Sequence, residues 1–276
     1  MSGLQIDHQT HFQAWTHGKH ILITGASSGI GREVAIQLLG CCRRLTLVAR
    51  NTNNRLDKFV SELERQGETY AGIRACPIDV RDAAAASSLI RFIYEEEADQ
   101  VDAFINCAGG SHTFGLLETM TNEDVDQILD VNAKAPIYWL KELLPRMRFN
   151  EMKPGDLKRG HVLMLSSRSG ERALPNLSVY AAAKGCIEKL VEAVRSEYAS
   201  NRIAFTLVNP GSVNTAFTEQ WPGQIREAHN SESMTVQEAT APIIHALNSQ
   251  FVLNKLSYES LDQWMGEPGV LAARDI

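Results

Sequence analysis

Long apolar runs, a surplus of positive charge and a paired set of cysteines are all missing from this chain of 276 residues. No segment reaches the roughly 18 consecutive apolar residues that a membrane-spanning helix needs, so no membrane partner is expected. Lys and Arg number 27 against 33 Asp and Glu, a formal net charge of -6. That balance gives neither the basic footprint of a nucleic-acid binder nor a polybasic surface for anionic lipid. Residues 1–18 lack the basic start and apolar stretch of a signal peptide, and the expected location is cytoplasmic. The five cysteines (Cys41, Cys42, Cys76, Cys107, Cys186) are odd in number and scattered. They suggest no disulfide framework, and without a C-x-x-C pair they suggest no zinc site. Buried reduced thiols are the expectation. His8, His11, His17 and His20 have no carboxylate partner pattern, so no metal is expected. No repeat, low-complexity tract or linker divides the chain. It reads as one domain over residues 1–276 with an N-terminal extension at 1–18.

What the chain does have is an alternation of short apolar runs with helical patterns, in an ordinary globular composition of 44% hydrophobic and 22% charged residues. Strands are expected at residues 20–24, 45–49, 74–78, 103–106, 162–165 and 204–208. Helices are expected at 29–39, 56–66, 83–95, 123–148 and 179–199. Near-continuous apolar strands separated by helices of this length call for a parallel sheet covered on both faces. Right-handed crossovers then produce a doubly wound α/β fold with its ligand at the carboxyl ends of the strands. Residues 209–234 show little periodicity, and 212–235 is expected to form a lid over that edge. Phe251-Val252-Leu253 suggests a seventh strand.

Gly25, Gly29 and Gly31 fall between the first strand and the first helix. That is the context in which glycines permit a tight turn, a close backbone approach to a pyrophosphate and a helix packed against the strand. After the second strand the chain reads Ala49-Arg50-Asn51. No carboxylate stands there to grip a ribose 2′-hydroxyl. Arg50 can pair with a 2′-phosphate and stack on adenine, which predicts NADP(H). A solvated loop arginine is the alternative.

Tyr180 and Lys184 lie one helical turn apart and share a face. A free tyrosine has a pKa near 10. A neighbouring ammonium, with the positive ring of an oxidised nicotinamide, is expected to lower that value and suit the phenol to acid–base work. The same spacing is also a common surface pairing.

Together these features, T-G-x-x-x-G-x-G from Thr24 to Gly31 and Y-x-x-x-K from Tyr180 to Lys184, resemble the short-chain dehydrogenase/reductase family in its single-domain branch. The resemblance runs over roughly residues 18–215 and implies a Rossmann fold. In the glycine turn it implies cofactor contacts from Gly25, Ser27, Ser28, Gly29, Ile30 and Gly31. Beyond the turn it adds Arg50 and the Asp79-Val80 pair, whose carboxylate would face the adenine amino group. Asn106, Ala108 and Gly109 resemble the family's N-N-A-G segment, with Cys107 in place of its second asparagine. Pro210, Gly211, Val213 and Thr215 resemble the segment that closes over the nicotinamide. Ser167, thirteen residues before Tyr180, resembles the substrate-binding serine. Asn132 resembles the asparagine that kinks a helix and holds a relay water. Asn132, Ser167, Tyr180 and Lys184 are thus the expected catalytic set, with Tyr180 and Lys184 also touching cofactor.

The implied activity is hydride transfer between NADP(H) and a carbonyl or secondary alcohol, with reduction as the working direction. His112, Phe114, Ser169, Phe217 and Trp221 are candidate substrate contacts. Phe217 and Trp221 would either cover an apolar ketone or tuck in as loop anchors. A homodimer or homotetramer is the expected assembly. The other readings are an NADP(H)-sensing binding protein without turnover, and an isomerase or dehydratase using transient oxidation.

Overall fold

The structure, a computed structural model, describes residues 14–65, 72–111, 113–219, 221, 223–231, 233–249 and 252–259. His8, His11, His112, Phe251 and the C-terminal residues from 260 onward lie outside them. The six expected strands form within two residues of their expected bounds. They are β1 (His20–Thr24), β2 (Arg44–Val48), β3 (Gly72–Cys76), β4 (Ala103–Asn106), β5 (Gly160–Leu165) and β6 (Ile203–Pro210). β3 stops at Cys76 rather than at residue 78 because Pro77, next in line, has no N–H for the ladder. With β7 (Lys255–Tyr258) they make a sheet in the order β3-β2-β1-β4-β5-β6-β7, every neighbouring pair parallel. The order reverses between β1 and β4, and a crevice opens there at the carboxyl ends.

Burial on both faces follows from the period of two along each strand. In β1, Ile21 and Ile23 join Leu45, Leu47 and Ile105 beneath α1 (Gly29–Gln37), α2 (Arg55–Arg65) and α9 (Val236–Asn248). Leu22 joins Phe104, Val162 and Phe205 on the other face, against α3 (Ala83–Arg91), α5 (Ala135–Met147) and α7 (Ser178–Glu197). Trp139 of α5 stacks on Phe104 with ring centroids 6.0 Å apart, and its Nε1 donates to the Val80 carbonyl at 3.1 Å. Among the described residues no helix is long and apolar enough to cross a membrane.

Four sequence expectations need correction. The seventh strand is Lys255–Tyr258, not the run at 251–253: Val252 and Leu253 precede it. Apolar content misled there, because β7 is an edge strand anchored by charge. Lys255 pairs with Glu171 at 2.6 Å and Glu188 at 3.1 Å, and the Tyr258 hydroxyl donates to the Ala239 carbonyl at 2.5 Å. Residues 209–234, read as lacking periodicity, contain α8 (Gly223–Ser231). α9 was not anticipated at all, although Thr235-x-x-Glu238 announces its start. There the threonine Oγ accepts from the Glu238 N–H while the Glu238 carboxylate accepts from the Thr235 N–H. Finally, Cys41 and Cys186 are exposed rather than buried, whereas Cys42 and Cys76 lie in the core; all five thiols are free.

At the amino ends of the strands a buried polar cluster joins distant segments. Lys158 donates to the carbonyl of Leu247 at 2.8 Å, lies 3.0 Å from His161 Nδ1, and sits 4.2 Å from the Trp15 ring centre. Burial pushes Lys158 down to about 7; Asp156 opposes the shift and Lys19 adds to it. Between that value and the 10.5 of an ordinary lysine, the unfolded chain holds a proton that the native state has released. Stability therefore rises with pH across that window. Lys184, pushed down by burial to about 8, joins only later. In thermal unfolding between pH 7 and 8, Lys158→Met is expected to flatten the rise in Tm that the wild type displays.

Candidate functional site

The glycine turn is built by close approach. Gly25 has φ +69°, and a Cβ there would stand 2.7 Å from the Ala108 nitrogen at the end of β4. A Cβ on Gly31 would meet the Gly25 carbonyl. Larger residues at either position would push α1 away from the strands. Ser28 caps α1 in an extended conformation without a side-chain hydrogen bond, and the first turn of the helix carries no acidic residue. The exposed N–H groups and the dipole of that end favour an anion.

An open cleft runs from this turn along the crevice. Gly25, Ser27, Ser28, Arg50, Asp79, Val80, Ala108 and Gly109 line it, as the sequence predicted. Thr52, Asn53, Arg55, Arg81, Gln127 and Val131 also line it and were missed. The signal for the first three was the turn-forming pair Asn53-Asn54. Both residues adopt left-handed φ of 55°, and Asn51 Oδ1 accepts from the Leu56 N–H at the start of α2. Asp79 does not present a free carboxylate: Arg81 Nη2 holds it at 2.7 Å and Arg81 Nε at 3.0 Å. That pairing, with a smaller contribution from Arg50, holds the Asp79 carboxyl below the usual range.

Two of the expected cofactor contacts face elsewhere. Asn106 is 2% exposed and accepts from the Thr24 hydroxyl at 2.9 Å, bracing β1 against β4 instead of lining the cleft. The Ile30 side chain packs with Val213 and Met234. On the far rim, Gly211 donates to the Tyr258 carbonyl at 2.7 Å after Pro210 ends β6, and Val213 bridges to Met234. Thr215 closes the rim against the glycine turn, its methyl 3.3 Å from where a Gly29 Cβ would lie.

Ser167, Tyr180, Lys184 and Asn132 converge beyond Gly109. The Ser167 hydroxyl accepts from the Ser169 N–H at 3.1 Å, capping α6 (Arg168–Glu171), and lies near enough to the Tyr180 phenol to act on its ionisation. Lys184 donates to the Leu165 carbonyl at 3.0 Å, and its Nζ stands 5.6 Å from the centre of the Tyr180 ring. The expected lowering of the phenol does not come from the protein. Burial pushes Tyr180 up, with the Ser167 hydrogen bond opposing it, because Tyr180 is only 7% exposed. Lys184 is itself pushed down by burial to about 8, which leaves it mostly charged at neutral pH.

Asn132 lies in a widened helical turn, Asp130–Lys134, between α4 (Asn122–Leu129) and α5, where the Ala135 N–H reaches back to Asp130. Pro136 follows and has no N–H to return to the Asn132 carbonyl four residues back, which accounts for the break. The Asn132 amide clamps Gly110: Oδ1 accepts from its N–H at 3.0 Å, and Nδ2 donates to its carbonyl at 2.7 Å and to that of Ile128 at 2.9 Å. A methyl at Gly109 would stand 2.8 Å from Asn132 Oδ1 and 3.1 Å from Lys184 Nζ. Gly109→Ala is therefore expected to lower stability by about 1–3 kcal/mol through overpacking. Paired unfolding curves with Asn132→Ala would register part of that loss as shared.

On the substrate side, Phe217 packs on Tyr180 at 5.4 Å between ring centres. Trp221 packs on Phe217 at 5.5 Å and on Phe114 at 4.8 Å. Trp221 Nε1 donates to the Ser111 carbonyl at 3.2 Å, so this residue anchors the segment that follows β6. Ser169 is buried beside Ser167.

This assembly has relatives. Residues 19–225 match the model of the short chain dehydrogenase family. Glycine betaine reductase of Emericella nidulans is 32% identical over 198 residues, which are 72% of this chain and 15% of that protein. Dehydrogenase/reductase SDR family member 7B of Xenopus tropicalis is 28% identical over 239 residues, 83% of this chain and 74% of that protein. Among solved structures, an alcohol dehydrogenase from the archaeon Thermococcus sibiricus, complexed with 5-hydroxy-NADP, superposes with TM-score 0.73. It is 25% identical, over 90% of this chain and 98% of that one. A dehydrogenase/reductase from Sinorhizobium meliloti 1021 matches with TM-score 0.73 at 26% identity, over 87% and 93%. The chain belongs to the short-chain dehydrogenase/reductase family of oxidoreductases, which bind nicotinamide cofactors.

Proposed function

We propose that the protein is an NADP(H)-dependent oxidoreductase that interconverts a carbonyl compound and its secondary alcohol, with Tyr180 as the general acid and base. The observation that carries this reading is the meeting of Tyr180 and Lys184, 5.6 Å from ring centre to Nζ, beside Gly109 at the edge of the glycine-lined cleft. The cradle fits a dinucleotide. Its glycines leave no room for side chains where a pyrophosphate would approach, and the start of α1 offers uncompensated N–H groups. Arg50 and Arg55 at one end of the cleft fit a 2′-phosphate. The 5-hydroxy-NADP bound to the Thermococcus sibiricus relative is in keeping with that choice.

The dinucleotide would supply or accept the hydride. Ser167 would hold the substrate oxygen by a hydrogen bond that strengthens as negative charge grows there. Tyr180 would deliver its phenolic proton to that oxygen in reduction and take it back in oxidation. Lys184, charged and 5.6 Å from the ring centre, would steady the phenolate left behind. Asn132 would act as a positioning residue, holding Gly110 and hence the backbone next to Gly109. Phe217 and Trp221 would exclude water from the reacting oxygen.

Loss of NADPH absorbance against a panel of ketones and aldehydes, repeated with NADH, tests the reading. Turnover with NADPH preferred supports it. Tight NADPH binding without oxidation across the panel would favour a sensor instead, and equal use of NADH would remove the cofactor assignment alone.

A further inference from the structure

The wall around the Tyr180 hydroxyl continues outward as apolar surface. Phe114, Phe217 and Trp221 form a connected aromatic face leading to the phenol. Leu116 and Leu117, two and three residues beyond Phe114, are 56% and 61% exposed, and Leu174, three residues before Leu177 of the same cluster, is 48% exposed. The two leucine-bearing loops are joined, since the Gly115 N–H donates to the Asn176 carbonyl at 3.1 Å. Large aliphatic side chains are thus left in water on both loops that lead into the aromatic cluster around Tyr180, where they could meet an apolar group on its way to the phenol. Two of the neighbouring charges are already committed: Arg168 pairs with Glu259, and Glu171 pairs with Lys255 at 2.6 Å. A substrate carboxylate or phosphate that used Arg168 would have to break an existing pair.

Resting on the oxidoreductase reading above, we propose that the substrate is an uncharged, lipophilic carbonyl compound. Its carbonyl lies between Ser167 and Tyr180, and its apolar tail runs past Phe114 onto Leu116, Leu117 and Leu174. Each methylene of such a tail leaves water on binding, so affinity grows with chain length until these leucines are covered. A second copy of the chain or a membrane would also cover leucines, but neither accounts for their place on the two loops that lead into the aromatic cluster around Tyr180.

The test compares butanal, octanal and decanal, with NADPH as the reductant. We expect kcat/KM to rise roughly tenfold or more from butanal to octanal. In Leu116→Glu/Leu117→Glu, and separately in Leu174→Glu on the other loop, that ratio falls severalfold. Calorimetric titration with decan-2-one in the presence of NADP+ reads the tail site without chemistry, and the same variants weaken that binding. Turnover independent of chain length overturns the proposal and leaves the oxidoreductase intact. So does an unchanged ratio in both folded variants, or faster turnover of 8-oxooctanoate than of octanal. Saturable decan-2-one binding that the leucine variants weaken, with no turnover of any aldehyde or of decan-2-one itself, would support the apolar site and remove the enzymatic reading.

Discussion

Tyr180→Phe is expected to lower kcat for carbonyl reduction by about three orders of magnitude, while NADPH affinity stays within roughly threefold of wild type. The substitution removes one oxygen and little else. The ring that packs on Phe217 at 5.4 Å remains, and so does the apolar cluster of Ile128, Leu177 and Trp221 around it. The cofactor contacts proposed for the glycine turn, the end of β4 and the end of β2 do not depend on that oxygen. Ser167 keeps its bond to the Ser169 N–H, so α6 keeps its cap. What disappears is the proton donor. No other titratable group bonds the Ser167 hydroxyl among the described contacts, and Lys184 is turned toward the Leu165 carbonyl. The unmodified phenol stands above its ordinary value through burial, so it is neutral and able to donate throughout the physiological range. Fluorescence titration with NADPH alongside single-turnover kinetics separates the two quantities. Activity within tenfold of wild type would remove Tyr180 from the role of acid.

Much of this site was readable before any geometry, for physical reasons that differ from residue to residue. The glycine turn was legible because the clashes at Gly25 and Gly31 admit no other residue type, which makes composition and position inseparable. The strands were legible because burial on both faces demands unbroken apolar runs. Tyr180 and Lys184 were placed correctly on one face of a helix, but the direction of the phenol's shift was not. Spacing carries the nearby ammonium and says nothing of burial, which dominates. The break at Asn132 had a visible cause in Pro136, four residues on. β7 escaped because only Leu256 and Tyr258 of its four residues pack on the core, while Lys255 is held by ion pairs. Arg55 escaped because it enters the cleft only through the two left-handed asparagines before it, a conformation that the letters permit without requiring. The Asp79–Arg81 pair escaped because Arg81 is a surface arginine in sequence terms.

That hidden arginine sharpens the second large effect, a change of coenzyme preference in Arg50→Glu. Arg50, Thr52 and Arg55 face the same end of the cleft as Asp79. With the Asp79 carboxylate held by Arg81 at 2.7 Å, this end carries no unpaired acid among those residues, and two guanidiniums are placed to meet a phosphate. A guanidinium–phosphate pair is charge-assisted and stronger than a neutral hydrogen bond, though exposure and salt weaken it here. Exchanging Arg50 for glutamate removes one such pair and adds repulsion against the dianion. A carboxylate at that place can instead accept from the ribose hydroxyls of NADH. We expect KM for NADPH to rise on the order of fiftyfold, with the NADH value changed by less than about threefold. Arg55→Glu should produce a smaller loss in the same direction, since Arg50 would remain. Raising the salt concentration should shrink the difference between wild type and Arg50→Glu for NADPH and leave NADH nearly untouched. Equal losses for both coenzymes would place Arg50 on the adenine or pyrophosphate instead of the 2′-phosphate, because those groups are common to the two molecules.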